Sequence, residues 1–229
     1  MKYNSEIVEA YKKICNNGLV INSWGNVSAS DGSKVWITPS GVKAKDLDVF
    51  SIVEVDLHGN KTHKNKFNPS VDTKIHTELY RHFRQNDGMK SVIHTHSKYA
   101  TIFAQAKLDI PCLGTTHSDY FYGDIPCVDE LNDDEIHNDF EKNSGKSIIK
   151  YFEKYELNPN QIKAALLPSH GVMIWGSSIK EAIDNAIVLE HIAELCYHTL
   201  NLNKNVIMNE KLIDKHFLRK HGEEKYYGQ

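Results

Sequence analysis

Apolar residues recur with helical spacing in several stretches of this chain, and these stretches predict helices. In the first of them, residues 3–16, the apolar stripe ends at an Asn-Asn-Gly sequence that is typical of a helix C-terminus. Another begins just after Asn68-Pro69-Ser70, where a serine is well placed to cap a helix. The predicted helices are 3–16, about 71–83, 98–106, 135–153, 178 to about 200, and 208–218.

Shorter apolar runs, most of them rich in β-branched or aromatic residues, predict strands between these helices. They lie at 23–28, 34–38, 52–56, 92–96 and 164–167. Asp31-Gly32 is a hairpin signal, and the first strands follow one another directly, which favours antiparallel pairing. Helices interspersed with such strands predict an α/β fold, a three-layer α/β/α sandwich with a central mixed, largely antiparallel sheet.

Composition narrows the class of protein. No linker or repeat divides the 229 residues, which predicts one domain over 1–229. The net charge of -3 gives no electrostatic reason for nucleic-acid binding, and no window approaches the ~18 apolar residues of a membrane span. The first residues lack the apolar run of a signal peptide, and the four cysteines include no C-x-x-C pair. We therefore expect a cytoplasmic protein with reduced thiols that binds neither nucleic acid nor membrane.

Histidines supply the first candidate chemistry. His94 and His96 are two apart at the end of a predicted buried strand, so their side chains point the same way. His170 directly follows the apolar run 164–167 and is a third candidate. Three histidines with an open fourth position are the commonest catalytic zinc arrangement, although hydrogen-bonded structural histidines would give the same spacing. The pattern is compatible with Zn²⁺ or another divalent transition metal.

Small and polar residues follow several strands and are candidates for binding an anion. The pairs Gly25-Asn26 and Ser40-Gly41 offer backbone N–H groups of the kind that cradle phosphate, and each pair would serve equally as an ordinary turn. Ser70 reads as a helix cap and Asp72 as a first-turn carboxylate. Residues 115–123 are dense in hydroxyl, imidazole, carboxylate and phenol groups between apolar neighbours, which favours a site over a surface loop.

Several of these motifs, taken in chain order, resemble the class II aldolase/ribulose-phosphate epimerase family, to which the adducin head is also similar. The motifs are Trp24-Gly25-Asn26-Val27-Ser28, Pro39-Ser40-Gly41, His94-Thr95-His96, residues 115–123, Ser169-His170-Gly171 and the tail that ends Tyr226-Tyr227-Gly228-Gln229. The resemblance covers nearly the whole chain and implies a cytosolic C4 homotetramer with active sites at subunit interfaces. It also implies the three-layer fold, zinc as the cofactor and a phosphorylated ketopentose as the substrate.

The resemblance further implies roles for individual residues. His94, His96 and His170 would bind zinc, with Asp72 as a fourth ligand or next to the metal. Asp119 and Tyr227 would be the acid/base pair, and His216 would support a tail, about 215–229, that completes a neighbouring active site. The implied phosphate-binding residues are Gly25, Asn26, Ser40, Gly41, Ser70 and Val71.

Two positions depart from the epimerase pattern. Thr38 stands where those enzymes carry a lysine before Pro-Ser-Gly, and Val71 stands where they usually carry a second serine. Both changes weaken the implied phosphate site, and Lys43 or Lys45 could compensate. The exact sugar phosphate therefore stays open.

Two alternatives to epimerisation remain. A class II aldolase such as one cleaving L-fuculose 1-phosphate would use the same metal chemistry and release the aldehyde. In those aldolases glutamate typically matches Asp72 and the Tyr-Tyr-Gly-Gln tail is missing, so both features favour an epimerase. A non-catalytic scaffold of the adducin type would lose the metal histidines, whereas this chain keeps all three.

Overall fold

A computed structural model describes residues 2–83, 88–223 and 225–226 of the chain. Its strands are β1 (Gly25–Ser30), β2 (Lys34–Ile37), β3 (Val53–Asp56), β4 (Ser91–Thr95), β5 (Ala164–Leu167) and β6 (Gly171–Gly176). Its α-helices are α1 (Lys2–Asn16), α2 (Thr73–Phe83), α3 (Lys98–Ala106), α4 (Thr115–Ser118), α5 (Asp133–His137), α6 (Phe140–Lys154), α7 (Ile179–Leu202) and α8 (Glu210–His221). A short 3₁₀ turn spans Ala44–Asp46.

The strands form one six-stranded sheet in the order β3-β2-β1-β4-β6-β5. Neighbouring strands pair antiparallel throughout, and the only parallel pairing in the described part of the chain is an isolated bridge between Cys127 and Leu166. The predicted α/β class with a largely antiparallel sheet is therefore confirmed. Parallel pairing within the described residues is limited to that bridge.

Helices cover both faces of the sheet, because β4, β5 and β6 are buried at every position and successive side chains of a strand point to opposite faces. On one face Ile93 and Val27 pack in a core with α1, α3 and α7, and on the other Val92 and Trp175 pack in a core with α2 and α6. In the described part of the chain, no helix is both long and apolar enough to cross a membrane.

The predicted elements are present with shifted ends, with one correction. The helix predicted over 135–153 is two helices, α5 and α6, because Asn138 is extended and Asp139 adopts a left-handed φ of 61° between them. Asn132 caps α5 through a capping box with Glu135. Strand β6 and helix α4 were not predicted.

The pairing of the central strands brings distant segments to one end of the sheet, where β4 ends and β1 and β6 begin. Gly25, at the start of β1, pairs with Thr95 at the end of β4, and Thr95 also pairs with Val172 near the start of β6. The residues that follow β4 and those that precede β1 and β6 therefore meet at this end of the sheet.

Candidate metal centre

Three histidines from separate segments converge at this end of the sheet. His94 lies in β4, His96 follows β4, and His170 lies in the turn between β5 and β6. One ring nitrogen from each lies within 4.8 Å of the other two. Nε2 of His94 and Nε2 of His96 are 3.0 Å apart. This spacing suits one ion, since two nitrogens about 2.0–2.1 Å from a tetrahedral zinc are roughly 3.3 Å apart.

Burial favours the neutral form of all three rings. Burial, reinforced by the positive charge that His170 and His96 can carry, holds the pKa of His94 well below its usual range. Burial also lowers the pKa values of His96 and His170, and the charge of Asp72 opposes the shift in both. Neutral imidazole is the form that binds a metal ion, so the rings are ready to act as ligands at neutral pH.

The hydrogen bonds of the rings fit the same conclusion. Nδ1 of His94 donates to the carbonyl oxygen of Val172 at 3.0 Å, which leaves its Nε2 as the nitrogen with a free lone pair. Nδ1 of His170 is buried and has no hydrogen-bond partner among the described residues. A buried polar atom without a partner is costly, and an additional group at this position would remove that cost. The histidines therefore fit a divalent metal ion.

The Ser-His-Gly sequence around His170 has a geometric reason. A Cβ atom on Gly171 would lie 2.6 Å from the carbonyl oxygen of Thr95, 3.1 Å from Cδ2 of His96 and 3.2 Å from Cε1 of His94. Only glycine therefore lets β6 start this close to the rings. Ser169 adopts a left-handed φ of 58°, which turns the chain so that His170 faces the other two histidines.

Asp72 lies next to the cluster. Its Oδ2 accepts a hydrogen bond of 2.6 Å from Nδ2 of Asn26, and its charge acts on both His96 and His170. The group of potential metal ligands found in the described residues consists of the three histidines without Asp72. Whether Asp72 is a ligand or a neighbour of the metal stays a prediction.

The segments that carry the six predicted phosphate-binding residues meet at the same end of the sheet. The backbone N–H of Ser70 donates to the carbonyl of Thr38 at 3.1 Å, and that of Ser40 donates to the carbonyl of Asn68 at 3.0 Å. These bonds hold residues 38–41 against 68–71. Thr38 in turn bonds to β1, since its backbone N–H donates to the carbonyl of Val27 at 3.1 Å. Gly41 has a φ of 71°, the left-handed conformation that glycine adopts without strain.

Thr38 and Val71, the two positions that depart from the epimerase pattern, lie in different environments. The hydroxyl of Thr38 is buried and accepts a hydrogen bond of 3.2 Å from the backbone N–H of Val27, so this side chain joins two strands. Val71 is 67% exposed and packs little. Lys43 and Lys45, both exposed, lie just beyond Gly41.

Asp119, the predicted acid/base residue, lies against helix α8. Nη2 of Arg219 lies 3.0 Å from its Oδ1 and 2.9 Å from its Oδ2, and Nε of Arg219 donates to Oδ1 at 3.2 Å. Nδ1 of His216 is 3.1 Å from Oδ1 of Asp119. Helix α8 thus binds the carboxylate with two side chains three residues apart. Tyr227, the other predicted acid/base residue, lies outside the described residues.

Asp119 is at the opposite end of the sheet from the histidines of its own chain. It lines a cavity of about 370 Å³ together with Ser178 and Glu181, which follow the C-terminal end of β6. His170 precedes the other end of that strand, and the span from Gly171 to Gly176 is roughly 16 Å at about 3.3 Å per residue. Asp119 and the histidine cluster of one chain are therefore well separated.

The sequence pattern of a known family extends over most of this architecture. The family described as Class II Aldolase and Adducin N-terminal domain matches residues 5–197. The chain belongs to this family. The match includes all three histidines, Asp72, Asp119 and the strands that carry the phosphate-binding candidates, whereas α8 lies beyond it.

Solved structures of class II aldolase type share the fold at low sequence identity. An L-fuculose 1-phosphate aldolase is 20% identical, with 95% of each chain covered and a TM-score of 0.77. YgbL of Klebsiella pneumoniae is 24% identical, with 93% of this chain and 97% of that chain covered and a TM-score of 0.71. L-fuculose-1-phosphate aldolase of Thermus thermophilus is 20% identical, with 90% of this chain and 98% of that chain covered and a TM-score of 0.67.

Two residues of this family member that contact candidate site residues were not predicted from the sequence. Arg219 binds Asp119, and its position three residues after His216 on a helix was the available signal. His76 is fully buried and bonds to Asn26, and its position four residues after Asp72 was the signal there.

We expect the free energy of unfolding of this chain to fall as the pH drops below about 6.5. Burial lowers the pKa of His76 to about 3 and that of His117 to about 4, so between these values and about 6.5 the unfolded chain binds protons that the folded chain does not. The free energy of unfolding should therefore fall by up to about 1.4 kcal/mol per pH unit for each ring. Urea unfolding at pH 7.5, 6.5 and 5.5, with chelator in every sample, measures this. An unchanged free energy of unfolding would contradict it.

Proposed function

We propose that this chain is a metal-dependent L-ribulose-5-phosphate 4-epimerase, which interconverts L-ribulose 5-phosphate and D-xylulose 5-phosphate. The observation that carries the proposal is the convergence of three imidazoles, whose neutral form burial favours, beside the paired segments 38–41 and 68–71. The tail that ends Tyr226-Tyr227-Gly228-Gln229 and the aspartate at position 72 favour an epimerase over an aldolase.

The reaction requires that the C3–C4 bond be broken and formed again, because the C4 hydrogen of a ketose phosphate is not acidic. One base takes the proton from the C4 hydroxyl, C4 becomes the aldehyde carbon of glycolaldehyde phosphate, and the bonding electron pair stays on the C1–C3 fragment. After the aldehyde turns, the pair attacks its opposite face, and an acid returns a proton to the C4 oxygen. Two faces need two proton-transfer groups, and Asp119 and Tyr227 are our candidates for these roles.

His94, His96 and His170 would hold a Zn²⁺ ion, and a His-only set also suits other divalent transition metals. When bound, the ion supplies Lewis acidity to the oxygens on which negative charge develops. Asp72 contributes a negative charge beside the rings. Gly25, Asn26, Ser40, Gly41, Ser70 and Val71 surround the region that we assign to the phosphate.

The wide separation of Asp119 from its own histidines supports active sites shared between subunits. In a cyclic homotetramer the Asp119, His216 and Tyr227 of one copy would face the metal centre of the next. Arg219 and His216 would orient the Asp119 carboxylate within its own chain before it reaches the neighbouring site.

A class II aldolase is the second candidate, and the L-fuculose 1-phosphate aldolases among the similar structures favour it. Product analysis separates the two functions. Incubation of the purified chain with L-ribulose 5-phosphate and Zn²⁺ should yield D-xylulose 5-phosphate without free aldehyde. Accumulation of glycolaldehyde phosphate would favour the aldolase, and turnover of neither kind would refute the proposal for this sugar.

Removal of residues 227–229 should lower epimerase turnover by about 100-fold or more, because one of two acid/base groups would be lost. Zinc content and the free energy of unfolding should stay unchanged. Tyr226→Phe, which alters the neighbouring exposed tyrosine, is the matched control and should keep full turnover. Full activity of the truncated chain would remove Tyr227 from the mechanism.

A further inference from the structure

A line of buried polar side chains leads from Asp72 into the core between α2 and β1. Asp72, directly before α2, and His76 and Tyr80 of α2 are spaced four residues apart, so they lie along one side of the helix, and Asn26 and Ser28 point from one face of β1. The two sets interleave. The successive distances are 2.6 Å from Asn26 Nδ2 to Asp72 Oδ2, 2.5 Å from His76 Nε2 to Asn26 Oδ1, 2.7 Å from His76 Nδ1 to Ser28 Oγ and 2.8 Å from Ser28 Oγ to the Tyr80 hydroxyl.

The hydrogen bonds of this line have one consistent direction when Asp72 is ionised. A carboxylate only accepts, so the Asn26 amide nitrogen donates to it and the Asn26 oxygen is left facing His76. Nε2 of His76 must then carry the single hydrogen of the neutral ring, and Nδ1 accepts from the Ser28 hydroxyl. The Tyr80 hydroxyl completes the line by donating to Ser28.

Burial makes this direction costly to change. Asn26, Ser28, His76 and Tyr80 are at most 3% exposed. Burial lowers the pKa of His76 and raises that of Tyr80, so both remain uncharged at neutral pH. Turning the Asn26 amide over would place its oxygen against the Asp72 carboxylate and leave buried polar atoms without partners, at a cost of about 1–3 kcal/mol for each such atom.

We propose that His76 is a positioning residue for the metal centre: it fixes the amide of Asn26, which in turn holds the Asp72 carboxylate towards the three histidines. The inference rests on the proposed function, because it assumes a metal ion at the histidine cluster. The same arrangement leaves one N–H of the Asn26 amide for the substrate. His76 thus orders both a charged neighbour of the metal and a predicted phosphate-binding residue without touching either the metal or the sugar.

Zinc affinity tests this role directly. The full chain is stripped of metal and titrated with Zn²⁺ against a chromophoric chelator, for the unaltered protein and for His76→Leu, His76→Gln and Thr77→Val. Loss of hydrogen-bonded partners behind a metal site typically weakens binding 10–100-fold, and we expect this range for His76→Leu. His76→Gln should stay within about threefold of the unaltered chain, because a glutamine amide can donate to Asn26 and accept from Ser28.

The control variant lies on the same helix. Thr77 is buried and donates to the carbonyl of Lys74, outside the line, so Thr77→Val should leave zinc affinity unchanged. With Co²⁺ in place of Zn²⁺, the visible absorption of His76→Leu should differ from that of the unaltered chain, because Asp72 is released. If a general loss of stability were the cause, zinc affinity would also fall in Thr77→Val, and His76→Gln would lose as much affinity as His76→Leu.

Each outcome decides a separate point. Unaltered zinc affinity in His76→Leu, or equal losses in His76→Leu and His76→Gln, would overturn the positioning role. If His76→Leu does not fold, Ser28→Ala removes the partner of Nδ1 and should weaken zinc three- to tenfold; unchanged affinity there would also overturn it. Failure of the unaltered chain to bind Zn²⁺ would refute the proposed function itself, whereas loss of zinc in His94→Asn with tight binding in His76→Leu would refute only the positioning role.

Discussion

Replacement of His96 by asparagine is expected to abolish both zinc binding and turnover. Nε2 of His96 lies 3.0 Å from Nε2 of His94, so its loss removes one of the three proposed ligands. Changes to groups behind a metal ligand already cost 10–100-fold in affinity, and loss of a ligand should cost at least about 100-fold. Zinc content after dialysis and the rate of pentose phosphate conversion measure the two effects.

An exposed histidine supplies the control for this substitution. His63 lies in the segment after β3, away from the cluster, and His63→Asn should retain both zinc and turnover. Stoichiometric zinc together with full activity in His96→Asn would exclude His96 from the site.

Replacement of Asp119 by asparagine is expected to lower turnover about 10³-fold while zinc stays bound. General acid–base groups contribute typically 10²–10⁴-fold, and asparagine keeps the shape of the side chain but cannot take up a proton. Asp119 is also not among the three histidines that we propose as metal ligands, so the metal should stay bound. Steady-state rates and zinc content of the purified variant test both parts.

Mixing two inactive chains tests whether the site is shared. If each site combines the histidines of one copy with Asp119 of the next, a ring assembled from equal amounts of His96→Asn and Asp119→Asn chains contains intact sites at about one position in four. Co-refolding should therefore restore about a quarter of the specific activity. No recovery above the sum of the separate variants, in mixed oligomers of demonstrated composition, would contradict a shared site.

Local pattern accounts for most of the fold of this chain. The apolar stripe at 3–16 predicts α1, and the β-branched and aromatic residues at 34–38, after the Asp31-Gly32 turn, predict β2, because both signals lie within or next to the segment itself. The missed elements have weak local signals. β6 is buried at every position and so lacks alternation, and the break between α5 and α6 depends on a left-handed Asp139 that no periodicity reports.

The candidate site divides along the same line. The likeness of chain segments to a family suggested the site residues, yet it did not indicate Arg219 or His76. These two act through other side chains, and their importance follows from contacts between segments far apart in the chain, α8 with Asp119 and α2 with β1.

The sequence by itself determined that His94 and His96 point the same way, because alternate residues of a strand share a face whatever lies around them. Only the tertiary structure decided that His170 joins them, because β6 pairs with β4 although about 75 residues separate the two strands in the chain. It also placed Asp119 at the far end of the sheet. Such distances depend on strand order, which arises from the packing of the whole chain and has no local signal.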